Sequence, residues 1–329
     1  MNQTPIFTLP TYLRAGIFAP FALALMLACG SDIDAPSDPT TTTSGGGGAT
    51  SGTSANGGEG GSGGSVGTGG DGGEGLCTIP ANATVGLLKH TNDSFGGYTL
   101  LAPNGSTRSY LLDECGQVVH QWQHGSRPGQ STYLLENGDL LRAEKVGGMT
   151  FQAGGSGGRV VRYNWEGDTL WTFAYSTDTY RQHHDVELLP NGNVLLIAWE
   201  KKTAAEATAA GRDPSLLAQN ELWPDHIIEV VPEGPADGKI VWRWNSWDHL
   251  IQDHDPNQAN YGAPSEHPEL IDINFASSGN ADWLHINSID YNAAHDQIIL
   301  SAHNLNEVWI IDHSTTSSEA ASHQGGNSG

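Results

Sequence analysis

From Gly97 onward, short apolar runs alternate with breaks marked by glycine or Asn-Gly, and the breaks fall at regular places. Tyr133-Leu-Leu-Glu-Asn-Gly-Asp-Leu-Leu141 reads as one hairpin, and Val186-Glu-Leu-Leu-Pro-Asn-Gly-Asn-Val-Leu-Leu196 as the next. Ile289-Asp-Tyr-Asn-Ala-Ala-His-Asp-Gln-Ile-Ile-Leu300 is a third with a longer turn. Asn-Gly between apolar strands is the strongest short-range hairpin signal. A second hairpin type alternates with these and ends in Trp: Tyr110–Trp122, Val161–Trp171 and Ile227–Trp244, with Val308–Asp312 beginning a fourth. Two hairpins per repeat make a four-stranded antiparallel sheet. The expectation is an all-β fold, a β-propeller, because a recurring four-stranded unit is its signature. The first two Asn-Gly turns lie 54 residues apart, at Asn137 and Asn191, and segments 201–225 and 247–283 read as insertions. Only three to four blades can be counted, so the sequence reads as a C-terminally shortened propeller.

The beginning of the chain follows other rules. Arg14 precedes an almost wholly apolar run from Ala15 to Ala28, too short to span a bilayer and suited to a signal-peptide core. It ends at Leu27-Ala28-Cys29-Gly30, which looks like a bacterial lipoprotein signal with Cys29 as the lipidated residue. Three parts are therefore expected: a signal over 1–29, a disordered linker over 30–76 and a propeller domain over 77–329. Seventeen of the 43 glycines lie between Gly45 and Gly75, among Ser and Thr with little to bury. Such a coil of about 45 residues reaches roughly 35–40 Å, enough to hold a domain off a membrane. The expected location is exported, lipid-anchored to the outer membrane, periplasmic or at the cell surface. Cys77 and Cys115 then read as one disulfide of an oxidising compartment, with two unrelated thiols as the alternative.

Charge removes one class of partner. Fourteen Lys and Arg against 37 Asp and Glu give −23 among 329 residues, a composition that nucleic-acid phosphates repel. Ten Trp point to large apolar contacts in the core. Three cysteines with no finger spacing, and histidines without a His-x-x-x-His pair, give no reason to expect a metal or a cofactor.

The 14 histidines all follow residue 89. His184 precedes the turn residue Asn191 by seven positions, and His285 precedes Asn292 by the same seven. Each begins the first strand of its hairpin, so equal offsets place both imidazoles at one rim of a central channel. Gln130 holds the matching place in the earlier hairpin. His303, on the returning strand of the third hairpin, can approach the same channel. The bland alternative is that each caps a strand.

These residues resemble those of the bacterial arylsulfotransferases. The likeness rests on Gly97–Pro103, the Tyr110–Trp122 hairpin, His183-His-Asp-Val-Glu-Leu-Leu-Pro-Asn-Gly-Asn193, Asp282-Trp-Leu-His-Ile-Asn-Ser-Ile-Asp-Tyr291 and Glu307–Thr316, and covers about residues 84–329. The resemblance implies a secreted six-bladed propeller. It also implies transfer of a sulfuryl group from an aryl sulfate to a phenol, through a sulfated histidine and without a nucleotide donor. His184 and His285 match two of the family's site histidines, and Asn287 matches the Asn after the second. The family's Arg stands here as His303, and the sulfated histidine belongs to a later blade than those counted. The implied partners are phenols and aryl sulfates, with the membrane met only through the lipid. At −23, the channel mouth must be locally neutral or positive to admit an anion. The alternative function is a non-catalytic, surface-anchored propeller that binds protein or glycan partners, since one fold hosts many functions.

Overall fold

The computed structural model describes residues 77–327 apart from 80, 92, 149 and 276–279. Cys29, the signal segment 1–29 and the whole linker 30–76 lie outside the described residues.

The described chain is built of antiparallel sheets. The first joins β1 (Thr99–Leu101), β2 (Arg108–Leu112) and β3 (Val118–Gln123). The second is a four-stranded meander of β4 (Pro128–Leu134), β5 (Leu140–Lys145), β6 (Gly158–Tyr163) and β7 (Thr169–Ala174). The third contains β8 (Tyr180–Leu188) and β9 (Val194–Glu200). Then come the short pair β10 (Lys202–Thr203) and β11 (Glu221–Leu222), with α1 (Ala204–Ala209) between them. The third sheet is completed by β12 (Asp225–Glu233) and β13 (Asp237–Asn245), in the order β13-β12-β9-β8. A parallel pair, β14 (Leu250–Ile251) with β15 (Ile271–Asp272), lies in the second insertion. The fourth sheet is β16 (Ile286–Asn292), β17 (Gln297–Ala302) and β18 (Glu307–Asp312), followed by α2 (Ser317–Ala320). No sheet closes on itself. Among the described residues no helix is long and apolar enough to cross a membrane.

The turns follow from local chemistry. In Leu135–Asp139, Asp113–Gln117, Asn164–Asp168 and Leu189–Asn193 the first N–H donates to the carbonyl of the fifth residue. The fourth residue is each time a glycine at positive φ, between 72° and 93°. A tight turn followed by a left-handed residue is a favoured hairpin closure, and glycine occupies the left-handed place without steric cost. The third hairpin puts Asp296 there, at φ 51°.

Apolar cores lie between successive sheets in chain order. Leu111 and Trp122 of the first sheet meet Leu140, Val161 and Tyr163 of the second. Leu141, Val160 and Trp171 of the second meet Val186, Leu196 and Ile228 of the third. Leu195, Ile197 and Trp244 of the third meet Ile286, Ile289 and Leu300 of the fourth. A sheet covered on both faces has no polar side. This is why Val194-Leu-Leu-Ile-Ala-Trp199 is apolar throughout and does not alternate.

The Cys77–Cys115 disulfide ties the first described residue to the β2–β3 turn across a sequence separation of 38. Closing a loop of that length restricts the unfolded chain by about 3–4 kcal/mol in the chain-entropy model. Replacing both cysteines by serine is expected to lower the urea-unfolding free energy by roughly that amount, about 3 kcal/mol or more. A reductant should then cease to affect the midpoint.

Candidate active site

The first strands of the second, third and fourth sheets share a backbone irregularity. Between Pro128 and Thr132, β4 carries three residues where β5 has one, and between Gln182 and Val186, β8 does the same against β9. The middle residues of these bulges, Gln130 and His184, have positive φ, at 91° and 47°. In β16 the bulge falls between Ile286 and Ser288 and leaves Asn287 without a partner on β17; the positive φ sits at His285, at 53°. Bulges re-aim side chains, and left-handed non-glycine residues persist only where the surroundings hold them. Here the repeated bulge turns Gln130, His184 and Asn287 into one cavity of about 310 Å³, lined also by Ser131, Thr132, Tyr133 and Asp185. A larger groove of about 810 Å³, between segment 264–275 and β18, contains none of these residues.

The two histidines matched by offset meet. His184 Nε2 and His285 Nε2 are 3.1 Å apart, with the rings edge to face. His285 Nδ1–H donates to Asp282 Oδ2 at 2.5 Å, and Trp199 Nε1–H donates to Asp282 Oδ1 at 2.9 Å. The two imidazoles are driven in opposite directions. Burial pushes His184 down to about 2, and the neighbouring His183, His285 and His303 add to the effect. Burial also pulls on His285, but the hydrogen bond and charge of Asp282, with Asp225 beyond, raise it above the ordinary histidine value. One proton therefore has a defined place. Between the two rings, a proton is favoured on His285, oriented by Asp282, over His184. A cation-capable imidazole and a neutral one at contact distance provide an acid and an acceptor at the cavity's edge, where only His184 lines it.

His303 does not lie on the returning strand as the sequence indicated. It follows the end of β17 in a short 3-10 turn, exposed, with its ring centroid 5.3 Å from that of His285. The turn is closed by Asn306 N–H donating to the His303 carbonyl at 3.2 Å, while His303 N–H donates to the His285 carbonyl at 3.3 Å, one bond past the last β16–β17 pair. Asn287 reaches the cavity as expected, half-buried and with no protein hydrogen bond to its amide among the described residues.

Sequence reasoning missed the supporting carboxylates. Asp185 accepts from Tyr133 Oη at 2.5 Å, Val186 N–H at 3.0 Å and Ile289 N–H at 3.2 Å, which joins β4, β8 and β16. Asp225 contacts His183 Nε2 at 2.6 Å and accepts from Ile286 N–H at 3.1 Å. His183 is completely buried and lies flat on Trp199 at 3.9 Å, on the core side of the strand that sends His184 to the cavity. Burial holds His183 down at about 3 and Asp225 well up. The available signal was the adjacency of Asp185 to His184 and the three-residue step from Asp282 to His285. The cavity lining contains one carboxylate, Asp185, and it is tied on both oxygens and raised by burial.

A family model described as Arylsulfotransferase (ASST) matches residues 87–318. A search of curated proteins finds no match. Among solved structures, a protein of unknown function from Bacteroides caccae is similar at 11% identity, over 68% of this chain and 60% of that one, with a TM-score of 0.32. The chain thus spans about 60% of the length of that protein.

Two measurements test the proton placement. Asp282→Asn removes the charge that raises His285 while burial remains, so the His285 titration seen by NMR should fall below the ordinary value of 6.5. The lowered histidines also make stability depend on pH. His124, His183, His184, His226 and His249 are all held below 6.5, chiefly by burial. Below 6.5 the unfolded chain takes up protons there that the folded chain refuses, so this contribution is present above 6.5 and lost as pH falls. His285 and His313, both raised, act oppositely: their contribution is present below 6.5 and lost as pH rises through their folded values. Asp185, Glu187, Asp225 and Asp272, raised by burial, act in the same direction as those two, so the histidine share is read by difference: His226→Gln removes one lowered group and should raise the urea midpoint at about pH 5 relative to that at about pH 8, compared with the wild type.

Proposed function

Because the chain belongs to the arylsulfotransferase family, we propose that it serves sulfuryl transfer from an aryl sulfate to a phenol at the His184–His285 cavity. The observation that carries this reading is the contact of the two imidazoles at 3.1 Å with Asp282 behind one of them. In the reaction the S–O bond to the donor phenol breaks and a bond from sulfur to an imidazole nitrogen forms. The sulfuryl group then passes to the acceptor phenol: the N–S bond breaks, an O–S bond forms and the phenol's proton returns to His285. The leaving phenoxide needs a proton, and His285 is the group that holds one. Charge spreads over the nonbridging oxygens, as in phosphoryl transfer, and positioned N–H donors stabilise it. The Asn287 amide and the His285 Nε2–H are the donors at hand, and His303 stands where the family has Arg. Sulfation of a histidine and independence of a nucleotide donor belong to this proposal. So do phenols and aryl sulfates as substrates.

The same reading takes the four sheets as consecutive propeller blades, supported by the two four-stranded meanders and by first strands that lie side by side. It places the domain outside the cytoplasm, tethered by a lipid on Cys29. The Cys77–Cys115 disulfide fits an oxidising compartment.

One observation favours a second reading. No Arg or Lys lines the cavity, and a neutral imidazole is a weaker anion clamp than guanidinium. A non-catalytic binding module would need none. Incubating the 329-residue chain with 4-nitrophenyl sulfate and phenol separates the two. Transfer predicts nitrophenol release that depends on phenol, and a sulfuryl adduct on a histidine by mass spectrometry. His285→Ala should then lose about 100-fold or more in rate. Binding of the ester without release would select the binding module.

A further inference from the structure

Segment 150–157 crosses the histidine pair as a strap. Its glycines are fitted to that contact. At Gly155, φ is +80° and an added Cβ would fall 2.1–2.5 Å from three atoms of the His184 ring. A Cβ at Gly154 would lie 3.9 Å from His285 Cε1. On the other side, a Cβ at Gly129, beside Gln130, would fall 2.8 Å from Gly157 Cα. The strap therefore fills the space between β4 and the imidazoles with bare backbone. Its Gly155 carbonyl accepts from His184 N–H at 2.8 Å, and the Gly154 carbonyl accepts from the His184 ring.

Two side chains fasten it. Phe151 is buried beside Trp199 and Trp223, at ring distances of 6.0 and 5.0 Å. Arg181 of β8, only 4% exposed, has no carboxylate partner among the described residues. Its guanidinium donates to Ser156 Oγ at 3.0 Å, Ser176 Oγ at 3.0 Å, the Gly147 carbonyl at 2.6 Å and the Phe151 carbonyl at 3.5 Å. A buried cation spent wholly on neutral acceptors is costly, and three of the four acceptors belong to the strap or its approach. An apolar side chain would fill that space without the cost of burying a charge. What the guanidinium adds is a planar fork that fixes several carbonyl and hydroxyl groups at once.

We propose that Arg181 is a positioning residue for the histidine pair, holding the strap against His184 so that His184 can meet only His285 and the cavity. The word positioning rests on the sulfuryl-transfer reading; the mechanical link does not. The groups facing His184 are His183 on its own strand, His285 at the start of β16, His303 after β17 and the strap carbonyls. With the strap loosened, water reaches the ring from the strap side and its desolvation is relieved.

The test is a histidine-resolved NMR titration of the whole chain, with the His184 signal assigned by His184→Gln. In the wild type the His184 titration should lie well below 6.5. In Arg181→Gln its titration should rise by about one pH unit or more, whereas Arg181→Lys, which keeps a cation but loses the fork, should rise less. A folded Arg181→Gln protein with an unmoved His184 overturns the proposal. If Arg181→Gln does not fold, Gly155→Ala decides. The added methyl must displace the His184 ring, so an unchanged titration and unchanged ring shifts would also overturn it. The readout needs no turnover. A wild type without transfer activity would sink the sulfuryl-transfer reading and leave the titration result standing.

Discussion

The cavity depends on carboxylates buried between sheets. Asp185, Asp225 and Asp282 are each almost fully enclosed, and each joins segments far apart in sequence. Asp185 binds Ile289 N–H, Asp225 binds Ile286 N–H, and Asp282 binds both Trp199 and His285. Enclosing a carboxylate is costly, by several kcal/mol for each, unless N–H and O–H donors replace its water. Two of these donors, the Val186 and Ile286 N–H groups, sit beside the bulges of β8 and β16, where ladder bonding is interrupted and backbone N–H groups would otherwise be unpaired. The carboxylates and the bulges thus resolve each other's deficit. Together they hold β4, β8 and β16 in register around the histidines.

The same arrangement separates the two imidazoles electrostatically. His184 and His285 occupy equivalent places in successive hairpins and have similar backbone angles. Asp282 lies behind only one of them. A proton is therefore favoured on His285 over His184, although nothing in their own strands distinguishes them. Environments that drive neighbouring titratable groups apart are the usual way a fold obtains acid and base from the same side-chain type. A net charge of −23 is compatible with this, because the carboxylate lining the cavity is engaged by protein donors.

His183 shows how one strand serves two purposes. It precedes His184, yet lies against Trp199 in the core while His184 faces the cavity. Adjacent strand residues point to opposite faces, and the bulge determines which face is the cavity. A site read from the sequence as a run of histidines would have taken both.

The sequence by itself determined a good deal. The alternating hairpins, their turns at Gly138 and Gly192, and the continuous apolar run of β9 follow from local preferences and from burial on both faces. The equal seven-residue offsets of His184 and His285 put them in equivalent places, and the repeated strand geometry brought them together. Those are short-range regularities, so they survive in the linear order of residues. Only the tertiary structure decided the rest. It placed His303 beyond its strand, chose Asp282 to support His285, set Asp225 against His183, and laid Gly155 on His184. Two of these contacts join residues 29 and 42 positions apart, and the His184–His285 contact spans 101. Their strength comes from water being excluded where sheets meet. That exclusion is a property of the packed interior, which no local stretch of sequence contains.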